Sequence, residues 1–135
     1  MSEWFLQIKS KVYTVIKTRL TKKFKTKYKT LDFTMKDVLD VPARLPMVHI
    51  HELVGMESDQ DLQGDHVNAV LETIQISVYS KTQDECEEVL GEAALQMKRL
   101  RFEISAMPVY MSDRNIVQGV ARFRKMIGCN DTLLK

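Results

Sequence analysis

The chain is poor in the residues that write the most legible signatures. It has only two cysteines, Cys86 and Cys129, which fit reduced thiols better than a disulfide framework. Aromatic residues are sparse at 7%, and no internal repeat or low-complexity tract is present. No apolar run approaches the ~18 residues that span a membrane. Lys9, Lys11 and Lys17 interrupt any apolar core of a signal peptide, so the chain is expected in the cytosol where it is made. A Gly-rich phosphate loop, a nucleophile elbow and an HExxH pair are all missing. Without them the reading turns from enzymes to a protein that works by its surfaces, and no cofactor is expected.

What is present suits one folded domain, residues 1–135. At 44% hydrophobic the chain can build a core, and eight methionines suit irregular packing or adaptable contact surfaces. The net charge of +2 hides an uneven distribution. Residues 1–30 hold nine basic side chains and one acidic, a charge of +8. Residues 31–100 hold five basic and fourteen acidic, a charge of −9, and residues 101–135 return to +3. Such asymmetry steers a protein onto an oppositely charged partner, here another copy of itself before nucleic acid.

Trp4, Ile8, Val12, Ile16 and Leu20 recur every four residues and predict a helix over 3–20. Next, Lys23, Lys25, Lys27 and Lys29 alternate with Phe24, Thr26, Tyr28 and Thr30. Period two predicts a strand near 23–30, aromatics inward and lysines guarding a sheet edge or forming a basic strip. Pro42 and Pro46 bracket a connection, and PMVHIHEL predicts a strand over 46–54 with Val48 and Ile50 opposite His49 and His51. The acidic, aperiodic residues 55–65 predict an exposed loop carrying Glu57, Asp59, Asp61 and Asp65.

A strand over 67–80 places Val70, Ile74, Ile76 and Val78 on one side, with Glu72 expected outside the core or at a bulge. Thr82-Gln83-Asp84-Glu85 is a capping box that opens a helix over 82–100, whose apolar stripe includes Cys86, Val89, Leu90, Ala93 and Met97. Strands near 102–110 and 115–127 follow, the first placed at an edge by Pro108. Phe102, Ile104 and Ala106 share a parity in the first. The last strand alternates Val117, Gly119, Ala121, Phe123 and Ile127 with Val120, Arg122, Arg124 and Met126. The predicted fold is α+β, a mostly antiparallel sheet of four to five strands packed by an N-terminal and a central helix.

Two chemical readings compete with a purely structural one. His49 and His51 share a strand face and form half of a zinc site, but His66, Cys86 or a carboxylate would have to complete it. A plain sheet surface is the preferred reading, and no metal is expected. The lysine row with Phe24 and Tyr28 has the composition of a single-stranded nucleic-acid binder, yet alternation sends charges and rings to opposite faces.

The stretches LETIQISVYSKTQDECEEV, ALQMKRLRFEISAMPVY and VQGVARFRKMIG resemble the tail terminator proteins of long, non-contractile-tailed bacteriophages, also called minor capsid or tail-completion proteins. The likeness is carried by Val78-Tyr79-Ser80 before the helix, Leu100-Arg101-Phe102 after it, Pro108, and Arg122-Phe123 in the last strand. Pro46 to Leu53 resembles the first core strand of that family, so the similarity runs from about Pro46 to Gly128. The lysine row departs from the family pattern. The resemblance implies a virion protein at the head-proximal end of the tail, a hexameric ring that caps the tail tube, ends its polymerisation and meets the head connector. Its partners would be itself, the tube protein and a head-completion protein, with possible transient contact with passing DNA and none with a membrane. Glu57, Asp59, Asp61, Asp65, Arg122 and Arg124 are the candidate contacts. The alternatives are a neck or head-completion protein and, from another class, a small nucleic-acid-binding domain using Lys22 to Lys29.

Overall fold

The strongest periodicities of the chain become the central layer of the molecule. The computed structural model describes residues 8–29, 31–35, 45–60, 67–113 and 115–128. Helix α1 (Ile8–Lys23) is followed by strands β1 (Asp32–Thr34), β2 (Met47–Gln60) and β3 (Val67–Ser80). Helix α2 (Gln83–Arg99) leads into strands β4 (Glu103–Asp113) and β5 (Ile116–Gly128). The five strands form one sheet in the order β1-β2-β3-β5-β4, antiparallel except for the short parallel pair β1–β2. Among the described residues the fold is therefore α+β, a mixed and mostly antiparallel sheet with two helices.

Register explains which side chains enter the core. Ile50, Ile76 and Ala121 lie opposite one another across β2, β3 and β5, as do Val48, Val78 and Gly119. Their side chains share one face, and α2 packs on it over β3 and β5. Val89, Leu90, Ala93 and Met97 of α2 meet Ile74, Ile76 and Phe123 in one cluster of buried residues, which also takes in Ile8, Val12, Ile16 and Leu20 of α1. Trp4 and Phe5 lie outside the described residues.

The ends of α2 show local chemistry. Thr82 caps the helix, its Oγ1 accepting from the Glu85 amide at 3.2 Å. At the other end the Phe102 amide donates to the Met97 carbonyl (3.0 Å) and the Arg101 amide to that of Lys98 (2.8 Å). This is a Schellman closure, with Arg101 at φ 69° where glycine is the usual occupant. The β4–β5 hairpin closes between Asp113 and Ile116, with Asn115 at φ 68°.

Three expectations are corrected, and a fourth, for Glu72, holds in part. The strand near 23–30 does not form: the Phe24 amide donates to the Leu20 carbonyl and the Tyr28 amide to that of Phe24, both at 2.9 Å. Phe24 and Tyr28 simply extend the every-fourth-residue stripe of α1, so a period of four posed as a period of two. Residues 55–60 of the expected loop belong to β2, which runs on to Gln60 after an irregularity between Leu53 and Met56, and the rest of that loop lies outside the described residues. Glu72 lies at a bulge, as one of its two expected places, because the β2 irregularity between Leu53 and Met56 stands opposite it; it is not outside the core, however, for it faces the helices and is only 2% exposed. Finally, Ala106 does not share a face with Ile104: register shifts on either side of it set it opposite Arg122 and leave it exposed.

Gly119 marks the tightest approach in the core. A Cβ there would stand 2.8 Å from Cys86 Sγ and 2.9 Å from Tyr110 Cε1. Gly119→Ala is expected to destabilise the protein by about 1–3 kcal/mol, read as a lower urea midpoint. Arg101→Gly should raise stability by about 0.5–1 kcal/mol in the same assay, since it removes the left-handed strain of a β-carbon.

Candidate assembly surfaces

The sheet has two unlike faces. The helix face is apolar, while the opposite face, here the far face, carries the other parity of each strand. Across it the register aligns Val109, Val120, Ser77 and His49, and next to them Met111, Gln118, Tyr79 and Met47. Met47, His49 and Ser77 are buried, so the β2 side is shielded. The β4 side is open: Val109 is 59% exposed and Met111 53%, and Met107, beside a register shift, reaches 70%. β4 is an edge strand interrupted by Pro108, so this apolar strip borders an unpaired edge.

Arg122 and Arg124 stand on the same far face, both exposed. Arg122 Nε donates to Gln75 Oε1 at 3.0 Å, and Arg124 Nε lies 3.7 Å from Glu103 Oε2. The structure thus sets the two arginines beside an exposed row of Val and Met. That combination suits a protein interface, where Met and Arg are enriched. The strip went unnoticed in the sequence, although Met107, Val109 and Met111 alternate plainly. The parity singled out in the sequence was the other one, that of Phe102, Ile104 and Ala106.

The remaining candidates scatter. Glu57 and Asp59 sit in β2, whereas Asp61 and Asp65 lie outside the described residues. Lys23 ends α1, and Lys25, Lys27 and Lys29 are exposed on the turn after it. Lys27 Nζ donates to Glu88 Oε2 at 2.8 Å, and the Tyr28 hydroxyl donates to Glu88 Oε1. Those two bonds hold the Glu88 carboxyl below its usual range. Burial and then the Glu88 contact push the Tyr28 hydroxyl up to about 12. Part of the lysine row therefore ties the end of α1 to α2. The His49 and His51 rings are 5.7 Å apart on the far face. Cys86 is on the helix face, its thiol donating to the Val78 carbonyl at 3.4 Å, which removes it as a third ligand. No cluster of three His, Cys, Asp or Glu forms among the described residues, and His66 lies outside them.

A buried acid sits at the end of the helix-covered core. Glu72 lies opposite Lys125 in β5, whose Nζ donates to the Leu100 carbonyl at the end of α2 (2.8 Å). Glu72 Oε1 has no hydrogen-bond partner among the described residues. Desolvation first, and then the neighbouring Glu52 carboxyl, raise the Glu72 carboxyl to about 9. No protein-family model and no curated protein matches the chain.

Because the folded-state pKa of Glu72 lies above its unfolded value, the stability linked to it is full below the ordinary carboxylate pKa. It is lost as pH rises toward about 9. Glu72→Gln, which keeps the shape of the protonated acid, should therefore leave stability near pH 4 almost unchanged. Near pH 8 the variant should be more stable than the parent by about 1–3 kcal/mol, measured as paired urea midpoints.

Proposed function

We propose that this chain is a phage tail terminator, a structural virion protein that forms a ring on the tail tube, stops its polymerisation and joins it to the head connector. The observation that carries the reading is the open edge of the far face. There Met107, Val109 and Met111 are exposed beside Arg122 and Arg124, with no helix over them among the described residues. An apolar strip beside arginines is costly to leave in water and is a common mark of a surface that docks on protein. Its place on an edge strand suits repetition around a ring, where each copy offers one patch to its neighbour or to the tube. The likeness of Val78-Tyr79-Ser80, Leu100-Arg101-Phe102 and Arg122-Phe123 to the terminator family supports the same reading.

In this reading the protein acts as a virion component at the head-proximal tail end and is no enzyme. The ring is a hexamer, as the resemblance implies. A neck or head-completion role would use the same strip on a different neighbour.

The test combines light scattering with electron microscopy, for the protein alone and mixed with tail-tube protein. Rings, or tubes capped at one end, are the expected result. Val109→Lys with Met111→Lys should weaken association by about tenfold or more while the circular dichroism spectrum stays that of the parent. A chain that never meets tubes or itself, yet binds oligonucleotide with steep salt dependence, would replace this reading with nucleic-acid binding.

A further inference from the structure

A second surface lies on the helix side of the molecule. Arg19 of α1 meets Gln96 of α2 at 3.1 Å, whereas Tyr28, farther along, meets Glu88, so the two segments run in opposite directions. Between them is a groove of about 780 Å³. Among the described residues, Arg19, Lys22, Lys23 and Arg99 line it against a single carboxylate, Glu92, which already accepts from Gln96 Nε2 at 2.9 Å. Within that set of residues Lys22, Lys23 and Arg99 form no ion pair, and Arg19 reaches only the neutral amide of Gln96.

Part of this charge has a local explanation. Lys22, Lys23 and Arg99 stand in the last turns of their helices, where cations offset the helix dipole. That does not account for Arg19, or for an excess that continues past the helix. Residues 17–29 hold seven lysines and arginines, all exposed, and no carboxylate. Among the described residues only Lys27 of these seven is paired with a carboxylate, that of Glu88. Lys22, Lys25 and Lys29 recur at helical spacing and carry the positive surface on beyond the groove. A concave site lined by one sign of charge focuses its field on the opposite charge.

The lining narrows the kind of anion. It has no aromatic ring on which an unstacked base could lie, so single-stranded nucleic acid finds only half of what it needs. Leu95 is 43% exposed, but one leucine in water is ordinary and gives an acidic peptide little to grip. A nucleic-acid duplex needs neither ring nor apolar pocket, because it offers one phosphate charge per ~1.7 Å of its axis. Lys22 and Lys23 stand about one turn (~5.4 Å) beyond Arg19, with Arg99 across the groove on α2. Cations spread in this way suit a repeated anion better than one compact one. The groove is on the helix side and the strip of Met107, Val109 and Met111 on the far face, so the sheet separates the two and one chain can use both.

We propose that the basic groove between α1 and α2 binds the phosphate backbone of double-stranded nucleic acid without reading its sequence. Backbone contacts position a protein on a duplex and carry no base information, and the groove lining offers cations for the first task. This binding is separate from docking on protein and does not depend on the terminator reading.

Fluorescence anisotropy of a short labelled DNA duplex, titrated at salt from about 50 to about 200 mM, tests it. The parent should bind with a log–log salt slope of about −3 to −4, as four phosphate contacts give. The combined Lys22→Gln, Lys23→Gln and Arg99→Gln variant should bind about tenfold or more weakly, with a slope shallower by about 2.7. A charge-preserving variant (Lys22→Arg, Lys23→Arg, Arg99→Lys) should bind like the parent, which separates lost charge from lost fold. Lys23→Gln alone should lower the slope by about 0.9, whereas Lys81→Gln, just before the opposite end of α2, removes the same charge and should leave it unchanged. A parent that binds no duplex at low salt overturns the proposal, as does a triple variant that binds like the parent. So does a Lys81→Gln variant as weak as Lys23→Gln, since net charge alone would then be at work, or a single strand bound more tightly than the duplex. Duplex RNA of the same length is titrated beside the DNA: binding of either supports the proposal, and the tighter one names the ligand. A triple variant that keeps duplex binding but loses self-association or tube capping overturns it too, and makes the groove a seat for an acidic protein surface. Tube capping by the parent reports on the terminator reading alone, so either idea can fail while the other stands.

Discussion

The β3–β5 ladder is the interaction on which the rest of this molecule depends. Twelve consecutive residue pairs, from Ala69 with Gly128 to Ser80 with Val117, run without a break in register. Unbroken register means that parity is preserved along the whole length of both strands. Ile74, Ile76, Val78, Ala121, Phe123 and Ile127 therefore all reach the same face and are all buried. α2 can lie flat on that face only because Gly119 lets Cys86 and Tyr110 approach the strand. A slip of one residue would present Arg122 and Arg124 to the helix and put Phe123 in water.

The same parity that builds the core determines what is left outside it. Every residue that does not face the helices faces the other way. On β5 these residues are Gln118, Val120, Arg122, Arg124 and Met126, and on β4 they include Val109 and Met111. The two register shifts around Ala106 cancel, so Val109 and Met111 keep the far-face parity and only Ala106 is turned out of the core face. An assembly surface thus arises as the complement of the core. Glu72 shows the opposite outcome: the ladder carries a carboxyl into the helix-facing side, and burial keeps its proton on.

Much of the architecture was legible in the residues because their periods were long and unambiguous. β3, α2 and β5 follow from 14-, 17- and 13-residue patterns with a capping box before the helix. The lysine row misled because Leu20, Phe24 and Tyr28 satisfy a period of four as well as a period of two. Only the backbone bonds from Phe24 and Tyr28 decide for the helical continuation. β1 has three residues and a parallel partner distant in sequence, which gives no local pattern to read. The irregularity at Ala106 is likewise unwritten, since a bulge depends on the neighbouring strand as much as on its own residues.

Of the candidate surfaces, Arg122 and Arg124 were visible as two cations on the solvent parity of a strand, and strand alternation alone was enough to place them. The company they keep was not. Val109 and Met111 reach them through cross-strand pairing, and Arg19, Lys22, Lys23 and Arg99 surround one groove although they come from helices some seventy residues apart. The sequence by itself determined the periods, the caps and the division of each strong element into an inner and an outer face, because those depend on neighbours three or four positions away. Tertiary structure alone decided the register, the buried Glu72 and the convergence of charges in the groove, because those depend on which distant strand or helix happens to lie alongside.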